Sequence, residues 1–194
     1  MCTVSPGSDQ ATVLVVDDEE EVADVYALRL RNEYETRTAY GGEEALETID
    51  EDVDVVLLDR RMPDIAGDDV LDEIRSKPFD CKVIMLTAVD PGMDILEIDF
   101  DDYLCKPVEK ADLVSAIDQQ LQLQRYDDRL SEYLEVTSKL ALLEAELSPQ
   151  EVEANDELEE LTDRADELKA EMDETIEEFD DIETTFEDIA RHPG

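Results

Sequence analysis

The sequence predicts an α/β fold of the doubly wound kind, followed by an all-α helical hairpin. Three observations lead there. Apolar runs alternate with amphipathic stretches at the pitch of βα units over residues 11–123. Four of those runs stop on polar residues: VLVV before Asp17-Asp18, VDVVLL before Asp59, KVIML before Thr87, and DYLC before Lys106-Pro107. From Leu121 onward no strand signal returns, and apolar residues recur at heptad spacing instead.

Residues 1–10 read as a flexible tail, and the first strand is Thr12–Val16. The first helix runs from about Glu19 to Asn32, with Val22, Val25, Tyr26 and Leu28 or Arg29 at inward spacing. A short second strand around Tyr34–Ala39 ends at Gly41-Gly42. The second helix, over about 42–51, buries Ala45, Leu46 and Ile49. The third strand, Val53–Leu58, is apolar on both faces, as a central parallel strand should be. A loop from Pro63 to Gly67 leads into a third helix, about Asp68 to Ser76, with Val70, Leu71 and Ile74 inward. The fourth strand is Lys82–Leu86, a short fourth helix lies near Met93–Ile98, and the fifth strand is about Asp102–Leu104. A fifth helix begins near Lys110.

In residues 124–190, Tyr126, Tyr133, Leu140 and Leu147 recur every seven residues, with Leu123 and Leu130 beside them. Ser148-Pro149-Gln150-Glu151 then reads as a helix start: a serine N-cap, proline at the first helical position and a glutamate completing a capping box. After it, Leu158, Ala165, Met172, Phe179 and Phe186 repeat every seven residues, and Leu161, Leu168, Thr175, Ile182 and Ile189 follow at an offset of three. That is an a/d seam flanked almost wholly by Asp, Glu and Thr. Two such helices with a tight junction make an antiparallel hairpin. A two-helix hairpin buries little alone, so a homodimer through a four-helix bundle or coiled coil is expected. Residues 191–194 are a tail.

The chain has 57 Asp and Glu against 16 Lys and Arg, a net charge of -41. The excess is even: -22 over residues 1–124 and -19 over 125–194. An acidic tail would be lopsided, and the patterned 42% of hydrophobic residues argues against disorder. A surface this negative repels itself in dilute salt, and molar salt removes most of that repulsion. The composition therefore points to a halophilic, cytoplasmic protein. It argues against membrane surfaces and against nucleic-acid binding through a basic patch. Cys2, Cys81 and Cys105 lack metal-like spacing, and the lone histidine, His192, supports neither a metal site nor a catalytic triad. No signal peptide and no span of about 20 apolar residues is visible.

In a parallel α/β sheet, ligands bind at the C-terminal strand ends. Three carboxylates, a hydroxyl and an ammonium gathered there suit a divalent cation and a phosphoryl group. Singly, each residue has an ordinary explanation as a cap, a turn or a surface charge. Their coincidence at four strand ends does not.

Asp17-Asp18, Asp59-x-x-Met62-Pro63 with Gly67, Thr87-Ala88 and Tyr103-Leu104-Cys105-Lys106-Pro107 together resemble the receiver domain of two-component response regulators, over about residues 11–123. The acidic helical segment that follows resembles the HalX region of halophilic archaeal regulators. The resemblance implies a flavodoxin-like (βα)5 sheet of order 2-1-3-4-5. It implies Asp59 as phospho-acceptor from a sensor histidine kinase, and Mg²⁺ held by Asp18 directly, Asp17 through water, Asp59 and the Arg61 backbone carbonyl. Thr87 and Lys106 would contact phosphoryl oxygens, and Tyr103 would be the aromatic that rotates when the hydroxyl moves. The chain would then be a phospho-accepting switch rather than an enzyme, with at most weak self-dephosphorylation.

Alternatives stay open for the output. The C-terminal half could bind DNA as a transcriptional regulator, although it has no helix-turn-helix signal and few bases, or it could be a phosphorylation-independent interaction module. A metal-dependent phosphatase is disfavoured, because Asp59 is followed by Arg60 and Arg61 rather than by a second catalytic aspartate. The chain departs from the family at Asp99-Phe100-Asp101-Asp102, where receivers usually carry Gly-Ala. That puts the switch face in question more than the acceptor.

Overall fold

The computed structural model describes residues 10–88, 98–146 and 156–186. Within it the five expected strands form one parallel sheet: β1 (Thr12–Val16), β2 (Glu35–Ala39), β3 (Val55–Asp59), β4 (Lys82–Thr87) and β5 (Asp102–Cys105). Their order is β2-β1-β3-β4-β5, the order the resemblance implies. β1 and β3 are buried at every residue, which is why they read as unbroken apolar runs. β2 lies at an edge and shows more polar residues. The helices are α1 (Glu20–Leu30), α2 (Gly42–Thr48), α3 (Gly67–Arg75), α4 (Lys110–Glu146) and α5 (Asp156–Phe186). The chain divides between Leu121 and Gln122 into two compact units.

The main core of the first unit joins Leu14, Val56 and Leu58 of the sheet to Val70, Leu71 and Ile74 of α3. α1 departs from the expected face. It buries Ala23, Tyr26 and Leu30, an i, i+3, i+7 set, while Val25 and Leu28 stand 44% and 55% exposed. Arg29 explains part of the shift, since its guanidinium lies 5.8 Å from the Tyr26 ring and donates to the Val108 carbonyl at 2.7 Å.

The segment that departs from the family pattern forms a polar clasp at the start of β5. Asp101 accepts from Arg75 at 2.5 Å and from the Val83 backbone N–H at 2.7 Å. Arg75 also donates to the carbonyls of Cys81 (2.9 Å) and Asp99 (3.1 Å), tying the end of α3 to both strands. Phe100 meets Tyr103 edge-on with centroids 6.0 Å apart. The fourth expected helix lies, apart from Ile98, outside the described residues, as do residues 1–9, the Ser148–Glu151 helix start, Leu147, Ile189 and the 191–194 tail.

In the second unit, α4 from Gln122 and α5 run antiparallel. Arg164 on α5 pairs with Glu132 on α4 at 2.8 Å, whereas Arg129 on α4 pairs with Glu171 at 3.0 Å. The partners move in opposite directions along the chain, the signature of a hairpin. Beside these pairs sits a buried cluster of Val136, Ala165 and Leu168, with Tyr133, Leu140 and Leu161 against it. On α5 the expected seam is buried at Leu158, Ala165, Leu168, Met172 and Thr175. On α4 the seam differs. Tyr133 and Leu140 face the partner helix as expected, but their companions are Arg129 and Val136, not Leu123 and Leu130.

Arg75→Ala removes three hydrogen-bonding partners from the α3–β4–β5 junction, one of them the carbonyl of buried Cys81. It should lower the stability of the first unit by about 1–3 kcal/mol. Urea denaturation in molar KCl checks this, and an unchanged midpoint would show that the clasp contributes nothing.

Candidate functional site

Strand register collects the site. Val16 of β1 lies opposite Leu58 of β3, so the next residues, Asp17 and Asp59, emerge side by side. Asp59 in turn lies opposite Leu86 of β4, and Thr87 lies opposite Cys105 of β5. Thr87 is thus one step from Asp59, and Lys106 one step past the end of β5. Two hydrogen bonds extend the pairing beyond the strands: the Asp17 N–H donates to the Ala39 carbonyl at 3.1 Å, and the Lys106 N–H to the Thr87 carbonyl at 2.7 Å. The Lys106-Pro107 peptide is cis.

Asp17, Asp18 and Asp59 each bring a carboxylate oxygen to within 4.8 Å of the others. Asp17 and Asp59 are buried, and Asp18 is exposed at the mouth. The Asp17 carboxylate also accepts from the Glu19 N–H at 3.0 Å, which fixes its direction at the entry to α1. Lys106 Nζ lies 2.6 Å from Asp17 and 2.8 Å from Asp59, bridging both. Sequence alone placed this ammonium near a phosphoryl oxygen; its pairing with Asp17 comes from the geometry.

The electrostatics follow. Burial pushes the Asp59 carboxyl above the ordinary aspartate range; the Lys106 ammonium pulls it back in part, and Asp17 and Asp18 push it up again. For Lys106, burial opposes the charge, yet the hydrogen bonds from its ammonium to Asp17 and Asp59 outweigh it and hold the group above the ordinary lysine range. Lys106 is therefore a fixed cation at any physiological pH.

The loop after β3 is set by Gly67. Its N–H donates to the Arg60 carbonyl at 2.9 Å, and a Cβ there would collide with the Asp59 carbonyl oxygen and come 2.8 Å from Arg60 Cα. Only glycine lets α3 start so close to the Asp59 backbone. Arg60 folds back onto Asp68 at 3.1 Å, leaving the site. Arg61, with an exposed side chain, follows on the same loop. Tyr103 is half-buried on β5 and packs against the main core.

An all-oxygen set of three carboxylates is the donor chemistry that hard divalent cations take. Asp17, Asp18 and Asp59 fit Mg²⁺ by the chemistry of their oxygens, with Asp18 exposed to solvent.

The description of the response regulator receiver domain matches residues 13–118, and that of the HalX domain matches residues 122–189. A Haloferax volcanii protein, provisionally described as a transcriptional regulator, is 47% identical over 137 residues, covering 70% of this chain. The match spans only 24% of that relative. A CheY-like receiver domain protein from Methanospirillum hungatei is 27% identical, covers 61% of this chain and 98% of its own, and superposes with a TM-score of 0.57. The receiver domain of a Francisella response regulator is 29% identical over 57% of this chain and 95% of its own, with a TM-score of 0.51.

Because folding raises the Asp59 pKa, ionising Asp59 costs stability as pH rises through and beyond the ordinary aspartate value of about 3.9. In chelator at neutral pH, Asp59→Asn should melt no lower than wild type, since Lys106 keeps Asp17 as partner. Below about pH 4 any advantage should vanish. Adding Mg²⁺ should raise the melting temperature of wild type and do so less for the variant. Thermal scans in molar KCl check both, and a variant that melts well below wild type in chelator would contradict the raised pKa.

Proposed function

Because the chain belongs to the response regulator receiver family, with a HalX domain after the receiver, we propose that it is a two-component response regulator that accepts a phosphoryl group on Asp59 from a sensor histidine kinase. The observation that carries this is the Lys106 ammonium, 2.8 Å from Asp59, at a cluster of three carboxylates. An Asp59 oxygen would attack phosphorus as the P–N bond to the donor histidine breaks. The obstacle is charge, since a dianionic group must approach an acidic cluster. Bound Mg²⁺ would supply the neutralising charge that phosphoryl transfer needs. Lys106 sits where it can pass from the Asp59 carboxylate to a phosphoryl oxygen, and Thr87, at the end of β4, can donate its hydroxyl to another. The Arg61 carbonyl would complete the cation's protein ligands. The chain would be a switch, not a turnover enzyme.

The kinase would approach along α1. A shallow groove lined by Val22, Val25, Tyr26, Pro107 and Val108 opens beside the site, and Val25 is exposed there. Acid excess in both halves, matching a Haloferax relative, supports a protein that works in concentrated salt. Among the described residues no helix is long and apolar enough to cross a membrane.

For output, phosphorylation would draw in Thr87 and let Tyr103 turn toward the site, away from Phe100. The description of the Haloferax relative favours a transcriptional role. A basic DNA-binding face is not what supports it: of the described bases in the second unit, Arg129, Lys139 and Arg164 are held in ion pairs with glutamates. A protein intermediary fits better.

Intact-mass measurement in concentrated KCl with Mg²⁺ and acetyl phosphate tests the proposal. Wild type should gain one phosphoryl group and Asp59→Asn none. Folded wild type that gains nothing would refute the receiver chemistry and leave a phosphorylation-independent interaction module.

A further inference from the structure

The two leucines that sequence reasoning assigned to the hairpin seam are left outside it. At 3.6 residues per turn, Leu123, Leu130, Leu134 and Ala141 fall within about 40° of one another on α4. Leu134 is 55% exposed and Ala141 is exposed, while Leu123 and Leu130 are half-buried. Leu142, at the flank, is 69% exposed. This face turns away from the one that carries Arg129, Tyr133, Val136 and Leu140 to α5.

Its charge is as telling as its exposure. The second unit is acidic, and the exposed positions of α5 from Glu159 to Glu174 are mostly Asp or Glu. Along the apolar face of α4, from Leu123 to Ala141, the single charge is Asp127, with Thr137 the other polar residue at its centre. A chain of net charge -41 resists approach by any acidic partner, its own copy above all. Among the described residues of this unit, a charge-poor leucine face is where two copies can meet without that penalty.

The pattern also sets the direction. In a parallel pair, Asp127 would meet Asp127 of the other copy. In an antiparallel pair centred on Glu132, Leu130 faces Leu134, Leu123 faces Ala141, and Asp127 faces Thr137. Every apolar residue then meets an apolar one, and the lone carboxylate meets an uncharged residue instead of its own copy; the Thr137 hydroxyl is already donated to the Tyr133 carbonyl of its own helix. A two-fold axis requires such self-complementarity.

We infer that this chain forms a homodimer through the Leu123–Ala141 face of α4, packed antiparallel against the same face of a second copy, so that two hairpins make a four-helix assembly. The inference rests on the helical unit and not on phosphoryl transfer.

Light scattering in molar KCl should show a wild-type dimer and a Leu134→Glu monomer with unchanged helical circular dichroism. Leu134→Glu should still take up the phosphoryl group from acetyl phosphate as wild type does, which separates failure of the dimer from failure of the receiver reading. Register is tested in a Cys2→Ser background, Cys81 and Cys105 being buried. Asp127→Cys mixed with Thr137→Cys, one carrying a size tag, should form a mixed disulfide several-fold faster than either variant links to itself. That result holds even where Leu134→Glu fails to fold. A monomeric wild type, a dimer that survives Leu134→Glu, or an Asp127→Cys protein that links mainly to itself would each overturn the inference.

Discussion

One ammonium makes the site possible. Asp17 and Asp59 are both buried, and with Asp18 their oxygens crowd within 4.8 Å. Like charges at that range, out of water, cannot all stay ionised without compensation. Lys106 touches both buried members, and its own pKa rises because they hold it. The compensation is incomplete, because the Asp59 pKa still lies above the ordinary range. The site is thus short of positive charge by design of its sequence. That shortage is the charge imbalance that a bound cation would offset.

Everything else in the first unit serves to place those few atoms. The parallel register puts Asp17 and Asp59 at equivalent strand ends, and each strand delivers one polar residue where its apolar run stops. Gly67 allows α3 to begin against the backbone of Asp59, which closes the loop carrying Arg61. At the other end of the sheet, the Arg75–Asp101 clasp takes the place of a small-residue turn and braces β4 against β5. The clasp holds the strand that carries Tyr103 and delivers Lys106. Phe100 adds an edge contact that Tyr103 must give up in order to move. The departure from the family pattern therefore bears on Tyr103 and not on Asp59.

Much of this was legible in the sequence, and the reasons are physical. Central parallel strands are buried on both faces, so their apolar runs stand out and their polar endings mark the site. Strand order was not legible from periodicity, since nothing in a βα alternation records which strand sits beside which; it came from the family resemblance. On α1 the expected Tyr26 is buried, but Val25 and Leu28 look like core residues in the sequence and stay exposed, while small Ala23 and Leu30 complete the packing. The seam of α4 was misjudged for a related reason. Leu123 and Leu130 fit a heptad as well as Val136 does, and a heptad search prefers two leucines to an arginine and a valine. The Arg129 pairs with Glu171 and Thr175 decide the matter, and they depend on a partner helix that a single-helix pattern does not contain.

Like-charge repulsion acts on this chain at two scales and is met in two ways. On the surface, exposed carboxylates are screened by salt, and at molar ionic strength the Debye length falls to about 3 Å. Buried pairs are screened far less. Salt that screens surface charge does not relieve Asp17 and Asp59, so their compensation comes from the covalently held Lys106 whatever the medium. Between copies the situation is intermediate, because docking expels the screening ions from the faces that meet. There neither salt nor a lysine helps, and the remaining remedy is to leave charge out. The face of α4 from Leu123 to Ala141 has that composition, and its one carboxylate is placed where an antiparallel copy presents an uncharged residue and not a second carboxylate.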